Sequence, residues 1–116
     1  MFGDGSQTRD FTYVGDIVDG LIRAQGAPWG AVMNLGGGNR VSLADAISTL
    51  GEVAGMEIDV LRQGAQPGDV RDTLADVGHA RLLIDYAPKT RLSVGLGREF
   101  AWLSGVHPSA ADVPGA

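Results

Sequence analysis

Gly3-Asp4-Gly5-Ser6-Gln7-Thr8-Arg9-Asp10-Phe11-Thr12-Tyr13-Val14-Gly15-Asp16 is the stretch on which the fold turns. The lead from Met1 to Arg9 is polar and glycine-rich, a composition that favours turns. Phe11 to Val14 is a short β-type run of aromatic and β-branched residues. Asp16 then stands where a cap or first-turn acid belongs, beside the positive end of a helix. Ile17, Val18, Leu21 and Ile22 recur at helical spacing and predict a helix from about Asp16 to Gln25. Gly26-Ala27-Pro28 ends it.

The pattern continues downstream. Ala31 to Leu35 reads as a short apolar strand running into Gly36-Gly37-Gly38. Ser42-Leu43-Ala44-Asp45 resembles a capping box, with Asp in the position usually held by Glu. Leu43, Ile47, Leu50, Val53 and Ala54 mark an amphipathic helix closed by Gly55. Glu57 to Leu61 alternates with period two, as a strand does. A polar loop from Arg62 to Gly68 leads to an extended stretch over Asp69 to Leu74. Asp76 is placed to cap a short helix through Ile84, and Thr90 to cap a last helix whose stripe is Leu92, Leu96, Phe100 and Leu103. The order β-α-β-α-β-(β)-α-α predicts one mixed α/β domain over residues 1 to 103, with a disordered tail over 104 to 116.

Composition narrows the function. The chain has 116 residues, a net charge of −5 and no cysteine. A basic face for nucleic acid or an anionic membrane is not expected, nor a disulfide framework or thiolate nucleophile. His79 and His107 are not at metal-ligand spacing. No run approaches the length of a membrane span, so a cytoplasmic protein is expected.

Two glycine clusters invite comparison with a dinucleotide loop. The pattern GxGxxG needs its third glycine where Val41 stands after Gly36 and Gly38, and Gly3-Asp4-Gly5-Ser6-Gln7-Thr8 fails at the same place. Both are read as turns without cofactor contact. The single lysine lies in Tyr86-Ala87-Pro88-Lys89, which is not the YxxxK spacing that lets a lysine lower a tyrosine pKa. No catalytic set is therefore predicted.

Gly3 to Asp16 resembles the opening of the C-terminal region in the extended short-chain dehydrogenases, the NAD-dependent sugar-nucleotide epimerase/dehydratase family, whose pattern there is GDGxQxRDFxYVxD. The resemblance runs on through Asn34-Leu35-Gly36-Gly37-Gly38, Gln66-Pro67-Gly68-Asp69-Val70, Ala75-Asp76 and Tyr86-Ala87-Pro88-Lys89-Thr90, to the closing helix at Trp102. It implies the small mixed α/β substrate-binding domain of such an enzyme, without the Rossmann half. It also implies a UDP- or dTDP-sugar ligand, with a slight lean to a UDP-sugar 4-epimerase. NAD is implied for the full-length family and no cofactor for this chain alone. Partners so implied are the nucleotide sugar and either a Rossmann domain supplied in trans or a second copy of the chain.

By the resemblance Arg9 contacts the diphosphate, a task suited to a planar guanidinium that stays charged and donates twice. Asp69 takes ribose hydroxyls, and Asn34 lies near the diphosphate. Gln66 stands where many relatives carry a second phosphate-binding arginine, and Arg71 is placed to supply that charge. Each has a structural competitor: a salt bridge to Asp10 or Asp16 for Arg9, an Asx turn after Pro67-Gly68 for Asp69, a solvent-exposed strand position for Arg71. Tyr13, Trp29 and Trp102 are read as packing residues. Asp85 replaces a helix-ending glycine, which Asp tolerates because it can adopt positive φ. The alternative to an enzyme fragment is a non-enzymatic nucleotide-sugar-binding or self-associating module.

Overall fold

The computed structural model describes residues 1–64, 66–68 and 70–106. Four helices carry most of the regular structure: α1 (Val14–Arg23), α2 (Leu43–Ala54), α3 (Gly78–Ile84) and α4 (Leu92–Val106). Two short strands, β1 (Thr8–Arg9) and β2 (Val41–Ser42), pair antiparallel with Thr8 opposite Ser42 and Arg9 opposite Val41. The mixed α/β class expected from the sequence is the class observed. No helix among the described residues is long and apolar enough to cross a membrane.

Where capping chemistry is local, the elements fall as predicted. Ser42 is the N-cap of α2: its Oγ accepts the Asp45 amide hydrogen at 3.0 Å and donates to the Asp45 carboxylate at 2.7 Å. Gly55 closes α2 with φ 64°. Asp85 ends α3 at φ 53°, the one non-glycine residue with positive φ among the described residues. Asp76 lies two residues before α3, and its Oδ1 accepts the Gly78 amide hydrogen at 2.9 Å.

The strands are where the expectation fails. Phe11 to Tyr13 is irregular and Val14 already begins α1, so the β-type run is displaced to Thr8–Arg9. Ala31 to Leu35 and Glu57 to Leu61 form no strand. A strand exists by virtue of a ladder, and among the described residues no other backbone segment pairs with Val32 to Leu35. Periodicity reports burial on one face; it does not supply a neighbour. At the other end, α4 continues through Val106, three residues past the expected boundary at 103. Residues 107 to 116 lie outside the described residues.

Val77, Ala80, Ile84 and Tyr86 form the core, with Met33 and Leu35 packed against them. α2 and α4 pack on each other, and Leu92, Leu96 and Phe100 of the predicted stripe are half-buried. The core is small for so apolar a chain. Seventeen large hydrophobic side chains are exposed among the described residues, whereas the buried ones are three, Val77, Ile84 and Tyr86. Trp29 and Trp102 are among the exposed, at 104% and 64%, which corrects their reading as packing residues.

Candidate functional site

β1 is flanked on both sides. β2 pairs with it on one edge, and on the other Thr8 donates its amide hydrogen to the Arg71 carbonyl at 2.9 Å while its own carbonyl accepts from Thr73 at 3.2 Å. Thr8 and Asp72 are thus register partners in a parallel bridge. Alternation along the ribbon then puts Thr8 with Asp72 on one face and Gln7, Arg9 and Arg71 on the other. The Thr8 hydroxyl donates to Asp72 Oδ1 at 2.6 Å, which holds the Asp72 carboxyl below the usual carboxylate range, with Arg40 and Arg71 adding to the effect.

Arg9 is half-buried and reaches across the ribbon. Its Nη1 donates to the Thr8 carbonyl at 2.8 Å and to the Arg71 carbonyl at 3.2 Å. Beside it a cavity of about 300 Å³ is lined by Phe2, Asp4, Gln7, Gln66 and Arg71 among others. Arg71 and Gln66 therefore share one cavity, Arg9 shares the Arg71 face without lining it, and Asn34 does not line that cavity. Asn34 Nδ2 instead points to the Asp76 carbonyl at 3.4 Å. Asp69 lies outside the described residues.

Asp4 was not foreseen as a site residue. Its Oδ1 accepts both the Ser6 hydroxyl at 2.7 Å and the Ser6 amide hydrogen at 2.9 Å, and these bonds, the hydroxyl foremost, lower its pKa. A carboxylate facing a cavity beside an arginine offers acceptors for hydroxyls together with a donor for phosphate oxygens. The signal was an Asp followed two residues later by Ser between glycines, an Asx-turn pattern.

Asp10 is the second residue the sequence reading passed over. Its carboxylate accepts amide hydrogens from Gly37 at 2.8 Å, Gly38 at 3.1 Å and Ala75 at 3.1 Å, and the Thr12 hydroxyl donates to it at 3.2 Å. Approach this close requires glycine: a Cβ on Gly36 would lie 2.4 Å from Ala75 Cβ, and one on Gly37 would lie 2.9 Å from the Phe11 carbonyl oxygen. The loop amides that would cradle a pyrophosphate are thus spent on Asp10, whose charge would also repel it. The glycine loop does not fit a dinucleotide.

No protein-family model matches the chain. It is 36% identical over 109 residues to the uncharacterised UDP-glucose epimerase YtcB of Bacillus subtilis, covering 92% of this chain and 34% of the relative. It is 35% identical over 103 residues to the UDP-glucuronate 4-epimerase of Thermodesulfobacterium geofontis, covering 88% and 32%. Among solved structures, the Bacillus cereus UDP-glucuronic acid 4-epimerase in complex with UDP-glucuronic acid and NAD superposes at a TM-score of 0.78, with 35% identity over 91% of this chain and 35% of that one. The Thermotoga maritima UDP-glucose 4-epimerase with UDP-glucose superposes at 0.85, with 27% identity over 91% of this chain and 34% of that one. The fold is thus that of the C-terminal region in extended short-chain dehydrogenases. The chain belongs to the NAD-dependent UDP-sugar epimerase family as a C-terminal fragment, spanning about a third of the length of the curated relatives it matches.

Proposed function

We propose that this chain supplies the diphosphate- and ribose-gripping side of a UDP-sugar cleft. The observation that carries the reading is the shared face of Arg9 and Arg71 beside a cavity holding Gln66 and the Asp4 carboxylate. Arg9 and Arg71 grip phosphate oxygens as charged forks, Gln66 adds a neutral donor, and Asp4 with Asp69 takes ribose hydroxyls. Asn34 orients the chain ahead of the glycine loop. The solved relatives bound to UDP-glucuronic acid or UDP-glucose support this ligand class.

NAD and the hydride step belong to the remaining two-thirds of a full-length protein, a Rossmann portion in the same polypeptide or in trans. The setting is cytoplasmic, where nucleotide sugars and NAD are both available. A second reading, a module that binds or assembles without chemistry of its own, is favoured by the seventeen exposed large apolar side chains.

Titrating UDP into the isotope-labelled chain by NMR tests the site. Half a cleft makes few contacts, so a dissociation constant near about 1 mM is expected. Shifts should concentrate at Gln7, Arg9, Gln66 and Arg71, and Arg9→Ala or Arg71→Ala should weaken binding roughly tenfold each. Equal shifts with uridine, or shifts centred away from these residues, would refute the diphosphate role.

A further inference from the structure

A long arginine side chain grips an anion well only when its guanidinium is already held in place, because ordering it on binding costs rotamer entropy. Arg9 is held by backbone from two segments. Its Nη1 donates to the Thr8 carbonyl at 2.8 Å and to the Arg71 carbonyl at 3.2 Å. The Arg71 carbonyl also accepts the Thr8 amide hydrogen at 2.9 Å. The head of Arg9 is therefore placed by residues 71 to 73 as much as by β1, and whatever fixes that segment fixes both arginines.

The segment is stitched to β1 by single contacts. Thr73 donates its amide hydrogen to the Thr8 carbonyl at 3.2 Å, and Ala75 donates to the Asp10 carboxylate at 3.1 Å. The shortest link is the Thr8 hydroxyl on Asp72 Oδ1 at 2.6 Å, in the range of a charge-assisted O–H donor. Thr8 and Asp72 stand on the face opposite Arg9 and Arg71, and neither lines the Arg71 cavity. Asp72 is also an awkward neighbour for a phosphate site. Arg40 and Arg71 both act on its carboxylate, so its charge in turn offsets theirs. By charge alone, removing Asp72 tightens anion binding; by its hydrogen bond, removing it loosens the grip. The two effects have opposite signs.

We propose that Thr8 and Asp72 are positioning residues for the phosphate grip: their side-chain latch locks residues 71 to 73 against β1 and so sets Arg9 beside Arg71. Neither residue touches the ligand. The latch works through the Arg71 carbonyl, which takes Thr8 and Arg9 together and moves with the segment. The proposal rests on the diphosphate reading of that face. It adds that the grip is assembled by a hydrogen bond on the far side of the ribbon, between residues 64 positions apart.

Two NMR measurements on the isotope-labelled chain test the latch: titration with UDP, and relaxation of the Arg9 Nε–Hε group without ligand. Thr8→Val keeps the β-branched shape and removes the donor, and Asp72→Ala removes the acceptor. Each should weaken UDP binding about fivefold, the scale of one lost hydrogen bond. The double variant should bind no more weakly than either single one. Thr8→Ser restores the donor and should restore wild-type affinity. Asp72→Asn is as neutral as Asp72→Ala but keeps an acceptor oxygen, so it should bind more tightly than Asp72→Ala. In the free chain Arg9 Nε–Hε should be rigid in the wild type and mobile in Thr8→Val and Asp72→Ala. Tighter UDP binding by Asp72→Ala would overturn the proposal, as would additive losses in the double variant or an Arg9 side chain equally rigid in all. Thr8 is half-buried and Asp72 exposed, so each variant should keep the wild-type circular dichroism spectrum; loss of that spectrum would make the pair structural and overturn the positioning role. Absence of UDP shifts at Arg9 and Arg71 in the wild type would instead refute the diphosphate reading. The Arg9 relaxation then still decides whether the latch holds that side chain.

Discussion

The Asp10 carboxylate accepts the Gly37 amide hydrogen at 2.8 Å, tying the residue that follows Arg9 to a loop 27 positions away. The same group takes Gly38 and Ala75, so one charge joins the arginine ribbon, the glycine loop and the entry to α3. Removing it strands the Gly38 and Ala75 amides at once and leaves Gly37 with the Thr12 hydroxyl alone. Charge-assisted bonds contribute about 1.5–3 kcal/mol each, though not additively. Asp10→Ala should therefore cost about 3 kcal/mol or more, read as a fall in urea midpoint with little change in m-value. A loss below about 1 kcal/mol would show that the amides find other partners.

Glycine substitutions should split in sign. At Gly36 a Cβ would meet the Ala75 Cβ at 2.4 Å and the Asp10 carboxylate at 2.9 Å, and that carboxylate is held by the loop amides. Gly36→Ala should cost about 1–3 kcal/mol. At Gly97, inside α4, nothing lies within 4 Å of the added Cβ. Gly97→Ala should stabilise the chain by about 0.5–1 kcal/mol by restricting the unfolded ensemble. Thermal melts of both variants check the pair, and equal signs would contradict the local geometry.

Tyr86 is wholly buried, and its hydroxyl donates to the Gly36 carbonyl at 2.9 Å. Burial raises its pKa, and the charges of Asp16, Asp10 and Asp19 push the same way. The folded chain thus holds the phenolic proton more tightly than the unfolded chain does. Its contribution is complete below the unfolded value near about pH 10 and is lost as pH rises towards the folded one. Tyr86→Phe should cost about 1–2 kcal/mol at neutral pH through the stranded Gly36 carbonyl. The variant should also unfold less steeply above about pH 10. An unchanged alkaline slope would assign the pH dependence to other groups.

Legibility in the sequence followed the range of the interaction that fixes each feature. The Ser42 cap, the Gly55 stop and the positive φ of Asp85 are decided within a few residues, and each was readable in advance. The placing of Arg9 beside Arg71 depends on a bridge between Thr8 and Asp72, 64 positions apart, which periodicity does not reveal. Asp10 was missed because its partners are backbone amides of glycines, which carry no side-chain pattern to read. Trp29 and Trp102 were assigned to packing because large aromatics usually bury. Both are exposed in a chain that spans about a third of its relatives' length.

The same reasoning fixes where backbone protection should be lost. Ala31 to Leu35 carries a strand's composition, and Met33 and Leu35 pack on the core, yet the amides of Val32, Met33, Asn34 and Leu35 have no hydrogen-bond acceptor among the described residues. The one contact to this backbone is His79 Nδ1 against the Val32 carbonyl at 3.1 Å, which leaves the amides open. Gly37, two residues on, is held by Asp10 and Thr12 at 2.8 and 2.9 Å. Hydrogen exchange should therefore step sharply along the chain, fast at 32 to 35 and slow at 37, although both lie beside the same core. Side-chain packing without a ladder does not protect an amide. Slow exchange at Val32 and Met33 in the isolated chain would mean that a second strand, from another copy, has paired with this edge.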